Sequence, residues 1–265
     1  MFRLKESMTL KSCLKGRAAR AWTRSLVLTV GLWALTLVPV RAEGLYIAPG
    51  KPDGVALLAP PPARDSEEEA ADLAEARLVF KARTPEETKR AEKDASLSLF
   101  NFAPVIGPEF KPGKFPKMEA LFAKVKTNIT DTINIPKKHW QRLRPCQVDP
   151  ALDGVGEKES SPSYPSGHST RGTVQALMLA ELFPEKRAAI LDFGREIGWD
   201  RVLIGKHFPT DVQAGRVLGQ AIMRELMASP EFQHDLAAAK EEVKGRMAVT
   251  KEQSSHTAGV GAVAH

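Results

Sequence analysis

Ser163-Tyr164-Pro165-Ser166-Gly167-His168 is the stretch that decides how this chain is read. Proline and glycine fix the backbone of such a segment, and turns held this way position chemistry. A run that can be helical, Ser169 to Leu182, opens directly behind the histidine. Upstream stand Lys137 and, seven positions on, Arg144-Pro145; downstream stand Arg201, His207 and Asp211. Three cations, two histidines, a serine and a carboxylate are more specialised groups than a scaffold needs.

Around this centre the chain reads as helices. Ser66 before Glu67, Glu68 and Glu69 has the form of a helix start, with acids at the positive end of the helix. Thr84-Pro85-Glu86-Glu87 is a second start, with a cap, a first-turn proline and acids. Ala91, Ala95 and Leu99 carry that helix to about Phe102. Leu121, Phe122, Val125 and Ile129 form an apolar face between Pro116 and Thr130. Pro136 is read as opening a short helix that holds Lys137 and reaches Arg144, where Pro145 ends it. Pro184 to about Trp199 gives a further helix, and Phe208-Pro209-Thr210-Asp211 starts one that runs through Met227. On that last helix Gly215 and Gly219 permit a close neighbour. Strand alternation is nearly absent, so the expected fold is all-α, a single-domain helical bundle with long active loops.

The formal charge of +6 is misleading. The first 42 residues hold eight basic side chains against the single acid Glu6, which leaves +7 there and −1 for all the rest. A near-neutral body argues against a nucleic-acid partner. The basic stretch to Arg24, the apolar run Leu26–Val38 and Val40-Arg41-Ala42 read as a secretory signal cut after Ala42, with an uncleaved membrane anchor as the alternative; cleavage gives periplasmic or secreted localisation and no stable membrane insertion thereafter. Cys13 leaves with that segment, and Cys146 is then alone, a residue that packs near the site. Residues 43–66, with Leu57-Leu58-Ala59-Pro60-Pro61-Pro62, read as an extended strap on the domain. The helical domain is assigned to 67–241, and 242–265, turning to Gly, Ala, Ser and Thr, is expected to be a frayed tail.

The chemistry follows from the residue types. Lys137, Arg144 and Arg201 together would seat a group with more than one negative charge, and the arginine fork suits phosphate. Ser166 and the amides of Gly167 and His168 add neutral donors at a helix start. If Asp211 lies in the first turn of its helix, it can accept from one ring nitrogen of His207, leaving the other as a nucleophile. His168 can then protonate a leaving oxygen. No zinc-like spacing and no glycine-rich nucleotide loop is present. His139, His234, His256 and His265 are read as surface residues.

Lys137-x6-Arg144-Pro145, Pro165-Ser166-Gly167-His168 and Arg201-x5-His207-x3-Asp211 resemble the signature of the type 2 phosphatidic acid phosphatase superfamily, which includes vanadium haloperoxidases. The proline-rich strap, Lys93-Asp94-Ala95, Ile106-Gly107-Pro108 and Phe115-Pro116-Lys117 extend the resemblance to the bacterial class A non-specific acid phosphatases, over roughly 45–230. The resemblance implies that His207 carries a phosphohistidine, Asp211 orients it, and His168 is general acid and then base. It implies that Lys137, Arg144, Ser166, Gly167 and Arg201 hold the phosphoryl oxygens, that neither metal nor other cofactor is needed, that small phosphomonoesters are the substrates, and that homo-oligomers are common. Asp200, Lys206 and Cys146 depart from the pattern. Asp200 would weaken or orient Arg201, and Lys206 would add positive potential at His207 or point to solvent. A vanadium-dependent haloperoxidase shares only the three motifs. A lipid phosphate phosphatase would sit among membrane helices, and an inactive phosphate-binding helical protein would not need the full catalytic set.

Overall fold

The computed structural model describes residues 45–153 and 156–261, with side chains as far as 248. The signal reading and Cys13 lie outside the described residues. Among those residues there is no strand, so the all-α expectation holds.

The strap carries one short helix, α1 (Gly54–Leu57), capped by Asp53, whose carboxylate accepts from the amides of Val55 and Ala56. Tyr46 anchors it at one end: the buried ring packs edge-on against Phe232, its amide donates to Asn128 Oδ1 (2.6 Å) and its hydroxyl to Asp235 (2.6 Å). At the other end the Ala59 carbonyl accepts from the Tyr164 hydroxyl. Helix α2 (Glu67–Ala82) starts where Ser66 accepts from the Glu69 amide. Helix α3 (Pro85–Asp94) begins with the full capping box of Thr84 and Glu87.

Here the structure departs from the apolar spacing. Helix α3 stops at Asp94 instead of reaching Phe102, and a 3-10 turn follows at Leu99–Phe102. Ser98 starts that turn anew: its hydroxyl accepts from the Phe100 amide and its own amide donates to Asn101 Oδ1. A local cap has outcompeted the helix ladder, as serine does when its side chain offers the backbone another partner. A continuous helix would have tied the Ala95 carbonyl to the Leu99 amide; the break leaves it available.

After α4 (Ala103–Ile106), helices α5 (Pro116–Asn128) and α6 (Thr130–Trp140) follow almost end to end. Pro136 sits inside α6 rather than opening a helix, and α6 ends at Trp140, where Gln141 adopts a left-handed conformation (φ 51°). Arg144 is therefore not helical. It is the residue preceding α7 (Pro145–Val148), extended because a proline follows it.

Three helices form the frame of the site: α8 (Gly167–Leu182), α9 (Arg187–Leu203) and α10 (Pro209–Met227). They pack at short range through small residues. A Cβ on Gly194 would lie 2.5 Å from that of Ala176, and one on Gly215 only 2.6 Å from the Ser166 carbonyl oxygen. Gly215 thus lets α10 lie directly against the turn that opens α8. The last helix, α11 (Pro230–Gly261), passes straight through the expected start of a frayed tail. Phe232, Leu236, Ala239 and Val243 recur at helical spacing and are buried, and Glu242 accepts from the amides of Lys117 and Met118 at the start of α5. The apolar period persists past 241, and burial of that face outweighs the change in composition.

Candidate active site

The site lies where the opening turns of α8 and α10, the end of α9 and the segments around α7 converge. The Ser166 amide donates to the Asp211 carbonyl (2.9 Å) and the Ser163 amide to the Arg142 carbonyl (2.8 Å), so the Ser163–His168 stretch is tied to α10 on one side and to the Arg142–Arg144 segment on the other. Beyond α9 the chain turns at Gly205 (φ 70°), and the amides of Lys206 and His207 both donate to the Arg201 carbonyl. This turn brings Arg201 and His207 to one place although six positions separate them.

His207 is buried. Its Nδ1 is 3.3 Å from Asp211 Oδ2, and its Nε2 is 3.4 Å from Arg144 Nη1. A carboxylate only accepts and a guanidinium only donates. The proton therefore belongs on Nδ1, and Nε2 carries the lone pair. Burial, and then Arg144, Lys137 and Arg201, push the imidazole well below its ordinary pKa, so the ring stays neutral. The expected His207–Asp211 pair is present.

Asp211 is held from every side. Its Oδ2 accepts from the Ser163 hydroxyl (2.5 Å) and the Phe208 amide (2.9 Å), and its Oδ1 accepts from Arg142 Nη1 (2.7 Å). Arg142 in turn donates through Nη2 to Asp72 Oδ2 (2.7 Å), stacks on the Phe208 ring at 4.0 Å, and is buried. Asp72 also accepts from the Thr210 amide and hydroxyl. Ser163, Arg142 and Asp72 are functional neighbours that the reading of motifs missed. Ser163 stood inside the quoted stretch, and Arg142 two positions before Arg144 was a legible signal; Asp72, on α2, had none.

Lys137, Arg144 and Arg201 are each buried and are brought together. Lys137 Nζ donates to the carbonyls of Pro162 (2.5 Å) and Ser163 (3.2 Å). Burial, then Arg144, lower its pKa to about 7. Arg144 donates to Ser161 and to the Lys206 carbonyl (2.8 Å). Arg201 Nε and Nη1 are buried and have no acceptor among the described residues. Ser166 caps α8, accepting from the Ser169 amide, and Gly167 is the first helical residue, beside Lys137. The first amides of α8 are thus presented to the same space.

His168 is half-buried, and its Nε2 is 3.0 Å from the Ala95 carbonyl, the group freed by the early end of α3. Burial, then Arg201, lower its pKa to about 4. Asp200 neither weakens nor orients Arg201 by direct pairing. Its buried carboxylate takes a forked pair from Arg90 (2.7 and 3.1 Å), because α3 packs against α9 at that level. Lys206 does not point to solvent: it is buried, and its amine donates to the carbonyls of Glu157 (2.9 Å) and Gly156 (3.4 Å). Cys146 is a half-buried free thiol.

One carboxylate enters the cradle unannounced. Glu159 bridges the two arginines, with Oε2 2.6 Å from Arg144 Nη2 and Oε1 on Arg201 Nη2. Among the described residues no group of three or more His, Cys, Asp or Glu side chains is placed to hold a metal ion. No helix among them is long and apolar enough to cross a membrane.

The chain resembles several known proteins. The PAP2 superfamily profile matches residues 117–234. The non-specific acid phosphatase of Salmonella typhimurium is 33% identical over 168 residues, 60% of this chain and 67% of its own length. That of Providencia stuartii is 32% identical over 203 residues, 72% and 80%. An acid phosphatase of Zymomonas mobilis is 30% identical over 203 residues, 72% and 76%. A transmembrane PAP2-type phosphatidylglycerolphosphate phosphatase from Bacillus subtilis superposes with a TM-score of 0.44 at 23% identity, over 66% of this chain and 89% of its own. With a buried histidine–aspartate pair facing three cations, and relatives of this identity and extent, the chain belongs to the PAP2 superfamily.

Proposed function

We propose that this protein is an acid phosphatase that hydrolyses small phosphomonoesters through a phosphohistidine on His207, without a metal. The observation that carries the reading is the unprotonated Nε2 of a buried His207, held by Asp211 and facing Arg144. Nε2 attacks phosphorus in line, and the bond from phosphorus to the leaving oxygen breaks. His168 supplies that oxygen with a proton, then takes one from the water that attacks the phosphohistidine and releases inorganic phosphate. A bound dianion opposes the effect of Arg201 on His168 and raises its affinity for that proton. Lys137, Arg144, Arg201 and the first amides of α8 stabilise the charge on the equatorial oxygens, the part a metal plays elsewhere. Ser166 adds its hydroxyl. The leader and the resemblance support export to the periplasm or beyond, and homo-oligomers remain part of the proposal.

The test is hydrolysis of aryl, sugar and nucleotide monoesters in excess EDTA. Full activity there, with competitive inhibition by vanadate, is the expected result; loss that a divalent metal restores would defeat the proposal. Bromide, peroxide and vanadate in the same assay test the haloperoxidase alternative, and phosphatidic acid tests the lipid one.

Two groups of the site support a preference for acidic pH. His207 stays neutral far below pH 6.5, so acid does not silence the nucleophile. Lys137 loses its charge as pH rises through about 7, so the cradle weakens on the alkaline side. The profile of kcat/KM, corrected for the second ionisation of the substrate, is expected to fall above about pH 7. In Lys137→Arg that limb should move upward, because arginine keeps its charge. An unmoved limb would assign the fall to another group.

A further inference from the structure

Resting on the phosphatase reading, we infer that Glu159 is an internal competitor for the phosphate seat: its carboxylate holds the seat until a phosphate displaces it, which weakens the binding of every phosphate ligand and hastens the departure of product. The geometry points to this role because Glu159 binds two cradle arginines at once, one through each carboxylate oxygen. It is not a surface side chain that happens to reach inward. The segment bearing it is fastened to the same cradle: Lys206 donates to the carbonyls of Glu157 and Gly156, Arg144 donates to Ser161, and Lys137 donates to the carbonyls of Pro162 and Ser163. The carboxylate is thus presented at high effective concentration. Burial acts to raise its pKa, but Arg144 and then Arg201 outweigh this and hold it at about 2, so it is ionised wherever the enzyme works.

Consider what can displace it. A phosphodiester brings one negative charge, no more than the carboxylate it must replace, and lacks the tether. A monoester dianion brings two charges and three free oxygens. It can engage Lys137, the open Nε and Nη1 edge of Arg201, and Arg144 together. A seat closed by its own ligand 90–99% of the time shows an apparent affinity lowered by about 10- to 100-fold, whatever the intrinsic affinity. The factor is the same for every ligand that needs the open seat, so the dianion keeps its intrinsic advantage and both bind more weakly than the cations alone would allow. The same competition hastens departure of product phosphate, because the carboxylate refills the seat.

The experiment compares Glu159 with Glu159→Gln, which keeps the shape and removes the charge, and with Glu159→Ser as a second variant. Binding of inorganic phosphate and of dimethyl phosphate is titrated by calorimetry in a His207→Ala background, where no turnover is needed, with circular dichroism as the check on folding. Both variants are expected to bind phosphate about tenfold more tightly or better, and dimethyl phosphate to gain by a similar factor. In the His207 enzymes, KM for a monoester should fall with the phosphate inhibition constant while kcat does not rise. Phosphate binding that is unchanged or weaker in the variants would overturn the inference and leave Glu159 as a support for the arginines. A gain confined to one of the two ligands would overturn the competition and make Glu159 a direct contact of that ligand. Neither result depends on whether wild-type protein hydrolyses monoesters, which is the separate test of the phosphatase reading.

Discussion

Replacing His207 with alanine is expected to lower turnover of any phosphomonoester by at least about 10⁴-fold, the scale seen when a covalent nucleophile is removed. The variant should form no acid-labile, base-stable phosphoenzyme in rapid-quench trapping. His168→Ala should behave differently. With an aryl phosphate, whose leaving group needs little help, it should still be phosphorylated. With an alkyl phosphate the first step should slow by about 10²–10⁴-fold, the usual contribution of general acid catalysis. The contrast separates the two histidines, which the structure already distinguishes: His207 is buried against Asp211, and His168 is half-buried against the Ala95 carbonyl. Trapped phosphate on His207→Ala protein would move the nucleophile elsewhere.

The second large effect is on stability. Asp72, Arg142 and Asp211 form a buried chain of charge behind His207, with all three side chains nearly inaccessible to water. Removing the central cation strands two carboxylates that lose their strongest donor. Arg142→Ala is expected to lower the unfolding free energy by about 3–5 kcal/mol, the cost of breaking a buried pair from one side. Asp72→Ala should be costly alone, yet the double variant should cost less than the two added, by about 0.5–3 kcal/mol, since the partners act as a unit. Urea denaturation of the four proteins measures the cycle. Additive costs would mean that Arg142 is held by Phe208 and Thr210 rather than by its carboxylates.

The difference between Arg142 and His207 shows what was readable in the sequence. Capping chemistry was local, so Ser66, Thr84 and the Phe208–Asp211 start gave their helices directly. The three motif blocks also declared their chemistry, because specialised side chains at fixed spacing have few other uses. Competition between local signals was less legible. Ala91, Ala95 and Leu99 have a helical period, but Ser98 starts a new turn and ends α3 early. Pro136 looked like an opening and lies inside α6. Composition suggested a tail at 242, whereas Glu242 and Val243 are committed to α5 and the core. Partners recruited across the chain were not legible at all. Nothing near Asp72 marks it as the neighbour of Thr210, and Glu159 lies in a loop of glycine, serine and proline where a carboxylate looks like ordinary solvated charge.

The clasp between Tyr46 and Asp235 spans 189 positions. Phe232 and Lys124 close over the same ring. During synthesis these are among the last contacts of the domain to become available, because the segment from Pro230 onward emerges after the whole catalytic frame. Until then, α5 lacks its cover from α11, whose Phe232, Leu236, Ala239 and Val243 are buried in the finished domain. The protein therefore carries its site early and its closure late. A chain that already holds every catalytic group but not yet α11 leaves apolar surface uncovered, the kind of surface on which chaperones act.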